Sequence, residues 1–308
     1  MNFISASIWT LENHCFIVYT MLLVSFVMFT LFHKKRVEAQ AVRHNAKRLA
    51  LNGAGTGRVL PNVYKALGRE RDFPEDDPDP ILTSAIPEDT PHVPYKPVHR
   101  SDEEILQRSR EYYELMAQRR SVRMFSTEPV PQEVLENIIK TAGTSPSGAH
   151  TEPWTIVVVQ DPEVKEAIRE IVEEEEDLNY RQRMSKQWTT DLKPFRTKAE
   201  KPYLSDAPAL LLVFRQTHSW KEDNTKRMHY YSEISVAIAA GILLAAIQYC
   251  GLVALTSTPL NCNARLKALL CRPGNERLEL LLPVGRPHEG ATVPDLQRKT
   301  LEQIMVKI

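Results

Sequence analysis

No excess charge of either sign marks this chain: 39 Lys and Arg are balanced by 39 Asp and Glu. The cationic surplus that phosphate-backbone binding needs is absent, so nucleic acid is not an expected partner. Cysteine is scarce, with Cys15, Cys250, Cys262 and Cys271 forming no C-x-x-C pair. That excludes a disulfide scaffold and a cysteine zinc site, and a reducing compartment fits. No Asn-x-Ser/Thr acceptor occurs, which removes one sign of a secreted ectodomain. The nine histidines include no H-E-x-x-H, and no Gly-x-Ser-x-Gly elbow supports a serine hydrolase. Gly53-Ala54-Gly55-Thr56-Gly57 comes near a dinucleotide fingerprint, but Arg58 stands where the third glycine is needed and no strand precedes it. A flexible linker is the better reading there. No metal centre is expected.

The 308 residues are 43% hydrophobic and 25% charged, an ordinary globular composition that requires at least one real core. Near the amino terminus an uncharged run extends from Cys15 to Phe32, just long enough as a helix to cross a hydrocarbon layer. It reads as a single membrane anchor. A cleaved signal peptide is the competing reading, but only Glu12 is charged before the run and no clear small-residue cleavage site follows. Lys34, Lys35 and Arg36 come directly after it, with Arg43, Lys47 and Arg48 close behind, so the positive-inside rule places the bulk of the chain in the cytosol. The expectation is a single-pass membrane protein of the plasma or a vesicle membrane with a cytoplasmic domain. Residues 37–100 turn Pro-rich and acidic, as in Asp72-Phe73-Pro74-Glu75-Asp76-Asp77-Pro78, and read as an extended tether. The expected layout is therefore 1–36 anchor segment, 37–100 tether and 101–308 compact domain.

Within that domain, Ser101 and Glu104 spell a capping box ahead of a helix bearing Ile105, Tyr112 and Met116. Pro131 opens a second helix that stops near Gly143. Apolar runs at 155–159, 209–214, 252–256 and 278–282 read as buried strands, and helices are expected at 162–184 and 264–270. Pro283, Gly285 and Pro287 are expected to end the last strand. The stretch Ile234 to Ala246 is apolar on nearly every side but short for a membrane span, so it reads as a core or interface helix. Cys250, Cys262 and Cys271 lie in or beside apolar segments and read as buried thiols. His229, beside Tyr230 and Tyr231, reads as structural rather than as a metal ligand. Alternating helices and strands, taken alone, suggest a parallel α/β sheet.

Candidate chemistry concentrates in four segments. Arg119-Arg120-Ser121-Val122-Arg123 suits a phosphate dianion, although a basic run is also an ordinary solvated or membrane-facing patch. Ser145-Pro146-Ser147-Gly148-Ala149-His150 is a loop in which Gly148 permits close approach to a ligand; a plain helix-to-strand connection is the alternative. The acidic run Glu173 to Asp177 would ordinarily be a solvated face, yet Glu176 and Tyr180 are spaced i,i+4 and project from one side. Thr256-Ser257-Thr258 at a strand end is explained equally by β propensity and turn chemistry.

Together the R-R-S-x-R stretch and the P-S-G loop resemble the nitroreductase family of flavin enzymes. With Thr151-Glu152-Pro153-Trp154, the Glu-rich helix, His229-Tyr230-Tyr231 and Thr256 to Asn261, the resemblance narrows to the membrane-anchored, FMN-dependent reductive dehalogenases of that family and covers about Arg119 to Val306. It implies an α+β fold with a mixed sheet between helices, in an arm-exchanged homodimer that holds two FMN sites at the subunit interface. The Ile234 to Ala246 helix is the candidate dimer core. It also implies that Arg119, Arg120, Ser121, Val122, Arg123 and Arg298 hold the FMN phosphate and ribityl chain. Ser147 and Gly148 would lie against the cofactor, and Thr256, Ser257 and Thr258 would meet its ring edge. The catalytic position is Thr258, whose hydroxyl would bond flavin N5 and favour transfer of electrons one at a time. Glu176, Tyr180 and Lys201 would form a lid over a halotyrosine zwitterion, while the Ala149 N–H would bind the phenolate. The implied reaction converts mono- and diiodotyrosine to tyrosine and iodide, with NADPH as ultimate donor through a separate reductase. A general nitroreductase or quinone reductase, and a tethered flavin-binding protein without turnover, are the alternatives.

Overall fold

The computed structural model describes residues 86–220 and 226–308, all within one compact unit, Pro78–Ile308. The expected anchor at 15–32, the glycine-rich linker at 53–57 and the Pro-rich acidic stretch at 72–80 lie outside the described residues. Residues 91–100 carry no regular secondary structure and are exposed.

Helix α1 (Asp102–Ala117) begins where expected, the Ser101 hydroxyl accepting the Glu104 N–H at 3.2 Å. The Glu104 carboxylate, however, pairs with Arg100 instead of closing the box. None of α1 is buried, and Ile105, Leu106, Tyr112 and Tyr113 face outward. Helix α2 (Gln132–Gly143) starts after Pro131 and buries Leu135, Ile138 and Ala142. Strand β1 (Trp154–Val159) leads to α3 (Pro162–Leu178), whose first N–H groups at Glu163 and Val164 are accepted by the Asp161 carboxylate. Helix α3 ends in a wider π turn, Asn179–Arg183. Short helices α4 (Lys186–Leu192) and α5 (Tyr203–Asp206) follow, then β2 (Ala209–Gln216) and a small hairpin of β3 (His218–Trp220) and β4 (Lys226–Met228). The long helix α6 (Ser232–Tyr249), β5 (Val253–Ala254), α7 (Asn263–Leu269), β6 (Glu276–Gly285) and α8 (Leu301–Ile304) complete the chain.

The main sheet runs β1-β2-β6-β5 and all its named pairs are antiparallel. This corrects the parallel sheet that alternation alone suggests. Uninterrupted apolar strands signal that both faces are covered, not which way the chain returns. Here Ala209, Leu211 and Val213 pack with α2 and α6 on one face, while Leu210, Leu212 and Phe214 pack with α3 and α7 on the other. A single parallel bridge, Ser121 to Ala254, makes the arrangement mixed, so the fold is α+β with helices on both faces.

Two strand limits differ from expectation. Strand β6 does not stop at Pro283, which pairs with Leu210 and accepts the Leu255 N–H at 3.3 Å through its carbonyl. Only the donor is missing, so the ladder continues to Gly285. There a Cβ would fall 2.5 Å from Pro208 Cδ, and a side chain would be excluded. The strand expected at 252–256 is regular only over Val253–Ala254 and resumes as a bridge between Ser257 and Leu281.

Helix α6 is the one described helix long and apolar enough to cross a membrane. Val236, Ala239, Ala240, Leu243 and Ile247 pack it into the core, whereas Ile234, Ile238 and Tyr249 are exposed. Its outer face, with Tyr112, Asn137 and Thr141, lines an apolar groove of about 620 Å³. Of the thiols expected to be buried, only Cys262 is; burial pushes it up to about 12, with Glu175 and Glu176 acting in the same direction. Cys250 and Cys271 are exposed because they follow the last turns of α6 and α7, where the chain leaves the core.

His229 is buried and structural. Its Nδ1 donates to the Gln216 carbonyl at 3.1 Å, which leaves Nε2 to accept the Ser219 hydroxyl at 3.0 Å. Burial holds this imidazole below its ordinary value, the Gln216 carbonyl opposes that shift, and Arg227 and His218 reinforce it. The folded state therefore keeps His229 neutral where the unfolded chain takes up a proton. Its contribution is complete above the ordinary imidazole value and is lost as pH falls through it. The melting temperature is expected to drop between about pH 7 and pH 5, and His229→Gln should flatten that slope in a thermal scan.

Candidate active site

Four guanidinium groups meet at the β5 edge of the sheet. Arg119, Arg120, Ser121, Arg123 and Arg298 line a cavity of about 270 Å³, which Phe195 also reaches. The chain is brought there by the Ser121 to Ala254 bridge, and the Val122 N–H donates to the Ala254 carbonyl at 3.2 Å. Val122 itself is buried, so it shapes the backbone and leaves no donor for a ligand. Arg298 clamps the Ala117 and Arg119 carbonyls at 2.8 Å each, and Arg120 bonds the Pro294 carbonyl. These bonds fasten the carboxyl-terminal segment over the run. Among the described residues no carboxylate pairs with any of the four arginines. Uncompensated forks around a cavity of this size suit a phosphate dianion.

Thr256 and Thr258 continue from β5 along the same edge. Ser257 exchanges two backbone bonds with Leu281, at 3.1 and 2.8 Å, so its neighbours point together to the other side. Both threonines are exposed, with hydroxyls open to a ligand.

The second group is the set expected as a lid, and the fold brings all three members together. Lys201 Nζ lies 3.1 Å from Glu176 Oε2, in surroundings that leave the two side chains only 9% and 13% exposed. The same ammonium sits 5.4 Å from the centre of the Tyr180 ring. The Tyr180 hydroxyl donates to Thr197 at 2.9 Å. Two asparagines brace this cluster. Asn179, 1% exposed, donates to Glu176 Oε1 at 3.3 Å and accepts from Arg183 at 3.2 Å and Asn261 at 3.3 Å. Asn179 opens the π turn, and Asn261 has φ 64°. The turn places Asn179 inward and joins the lid to the segment that carries Thr258. Asn261 closes the Thr256 to Asn261 stretch that carries the resemblance, whereas nothing in the residue pattern signals a π turn, so the bracing role of Asn179 was not legible.

Ser147, Gly148 and Ala149 form a third group, at the opposite corner. Their loop precedes Trp154, which pairs with Arg215 on the β1 edge, whereas Ser121 meets Ala254 at the Ala209 end of the β5 edge. By strand spacing and rise, the diagonal between these corners is about 25 Å. Gly148 lies against the Tyr230 backbone so closely that a Cβ would come within 2.9 Å of its carbonyl oxygen. The fold thus unites the arginines, the threonines and the lid along one edge and leaves the P-S-G loop apart from them.

The nitroreductase family model matches residues 116–286. A rat protein named iodotyrosine deiodinase 1 is 58% identical over 221 residues, 72% of this chain and 78% of that one. An iodotyrosine deiodinase of Nematostella vectensis is 52% identical over 239 residues, 77% of this chain and 90% of its own. A crystal structure of oxidized iodotyrosine deiodinase bound to FMN and 3-iodo-L-tyrosine superposes with a TM-score of 0.56 at 32% identity, covering 64% of this chain and 97% of that one.

Proposed function

Because the chain belongs to the nitroreductase family, we propose that it is an FMN-dependent oxidoreductase that dehalogenates halotyrosines, converting mono- and diiodotyrosine to tyrosine and iodide. The observation that carries this reading is the enclosed cluster of Glu176, Tyr180 and Lys201. A carboxylate, a phenol and an ammonium in one place match the two charges at the amino-acid end of the substrate. A nitroaromatic or a quinone has no such charges to pair.

The residues also fit the cofactor. Arg119 and Arg123 would hold the FMN phosphate, with Ser121 beside them, while Arg120 and Arg298 keep the carboxyl-terminal wall in place. When bound, FMN supplies the two electrons that, together with one proton, replace ring iodine by hydrogen and release iodide. Thr258 would offer its hydroxyl to the bound cofactor, and Thr256 and Ser257 would shape the wall next to it. On substrate entry Lys201 turns from Glu176 to the substrate carboxylate, and Glu176 takes the ammonium. Tyr180 adds its hydroxyl to the carboxylate. The pair that satisfies itself without substrate thereby orients it and keeps water out. Ala149 N–H receives the phenolate at the other end, with Ser147 and Gly148 against the cofactor.

These roles require a second copy of the chain. The sheet corners from which the P-S-G loop and the arginines depart are about 25 Å apart, more than one FMN spans. A homodimer that apposes opposite corners completes two equivalent sites, and the exposed face of α6 with its groove is the surface we assign to the contact. Electrons from NADPH would arrive through a separate reductase, since no dinucleotide fingerprint is present. Residues 15–32 and the basic flank support a membrane-anchored enzyme with its catalytic domain in the cytoplasm. The test is anaerobic: FMN-loaded protein reduced with dithionite should release iodide from iodotyrosine. Reduction of a nitroaromatic without any halide release would assign it instead to general nitroreduction.

A further inference from the structure

The Ser147 to Glu152 loop is strained. Ala149, His150 and Glu152 have φ of 49°, 51° and 44°, the left-handed region in which a side chain costs about 1 kcal/mol or more each. Such a conformation persists only when its surroundings fix it, and here they do. His150 and Thr151 donate back to the Ser147 and Gly148 carbonyls at 3.1 Å, Glu152 N–H donates to Ser147 Oγ at 2.9 Å, and Gly148 N–H reaches Ser235 Oγ at 3.4 Å. Among the described residues the Ala149 N–H, inside this braced turn, has no acceptor. Its amide is polarised from behind, because the Gly148 carbonyl accepts both the N–H and the hydroxyl of Thr151, at 3.1 and 2.9 Å.

Besides Ser235, a second side chain from outside grips the turn. Arg227 Nη2 donates to the Ala149 carbonyl at 3.1 Å and lies 3.4 Å from that of His150. Arg227 belongs to β4, and the segment that follows is tied to the sheet by buried His229 and supports Gly148 through Tyr230. Carboxylates of the neighbouring elements are already paired. Glu233 and Glu279 both pair with Arg215, at 3.0 and 2.6 Å, and His229 uses both ring nitrogens. His218 stacks edge-on against Trp220. His150 and Glu152 are exposed on the loop itself, and Tyr230 and Tyr231 are exposed beside it. Among the described residues no carboxylate neutralises Arg227.

We propose that Arg227 is a positioning and specificity residue for the ring end of the substrate. It holds the Ala149 N–H aimed outward, and its charge, which no described carboxylate pairs, favours an ionised phenol over a neutral one. This rests on the halotyrosine reading above and deepens it. A halogen beside the hydroxyl makes the phenol more acidic, so a site that prefers phenolate selects halotyrosine over tyrosine, the product.

The experiment uses FMN-loaded protein and follows iodotyrosine affinity by flavin fluorescence across the pH range in which the iodophenol ionises. In wild type, affinity rises as the phenol ionises. Arg227→Ala should lose about tenfold in affinity on the ionised side, little on the neutral side, and shift the midpoint upward. Arg227→Lys should retain the midpoint, because it keeps the charge, and His150→Gln should leave the midpoint unchanged. A uniform loss at every pH with the midpoint unmoved, or a midpoint that follows His150 instead, overturns the inference alone. FMN-loaded wild type with no affinity for iodotyrosine overturns the halotyrosine reading and the inference with it.

Discussion

Glu176→Gln is expected to lower affinity for iodotyrosine by at least about a hundredfold while leaving bound FMN unchanged. The substitution keeps the shape of the side chain and removes its charge from a largely enclosed site shared with Lys201. Loss of one partner from a desolvated charge pair costs about 2–5 kcal/mol, much of it from the charge left behind, and about 2.7 kcal/mol is already a factor of a hundred. Flavin should stay bound because the arginine cavity is built from residues 119–123 and 293–298, with only Phe195 from the lid segment. Titration of substrate into the FMN-loaded variant, with flavin content read from its absorbance, separates the two effects. Unchanged affinity would remove Glu176 from substrate recognition.

A comparably large effect is expected at the proposed dimer contact. Ile238 is 43% exposed on the outer face of α6, where it lines the apolar groove with Gly241, Ile242 and Ala245. Ile238→Glu should leave the monomer folded, since the side chain already faces water in one copy. In a dimer the same carboxylate would be buried without a partner, at a cost of several kcal/mol. The variant should sediment as a monomer and lose most of its flavin, because each P-S-G loop would then be removed from the cofactor held by the other copy. A monomeric variant with full flavin content would show that one copy builds the whole site. A dimeric variant would move the contact elsewhere.

The sequence made different parts of this molecule legible to different degrees. Helix starts at Ser101 and Pro131 were readable because caps act within a few residues. Strands were readable from their β-branched and leucine runs, but burial held fully only for central β2, since β1 at the sheet edge buries Val159 alone, and the direction of each strand was not readable. Direction depends on how far the connecting segments travel, which residue type does not encode. Pro283 misled because the rule against proline concerns donors, and the strand used only its carbonyl. The exposure of Cys250 and Cys271 was hidden for a related reason: their neighbours in sequence are apolar, while their neighbours in space are solvent.

The chemical inventory of this protein was set by residue order alone: an arginine run, a threonine pair at a strand end, and an acid and a phenol one helical turn apart. Each of these is a local pattern, and the spacing of side chains along a helix or strand follows from backbone geometry. Tertiary structure decided which of them meet. It carried Lys201 across an irregular segment to Glu176, turned Asn179 inward to brace them, and bound Arg227 to a loop far away in sequence. It also set the P-S-G loop diagonally across the sheet from the arginines. Those juxtapositions depend on strand order and on the path of the connections, which are settled only when both faces of the sheet are covered at once.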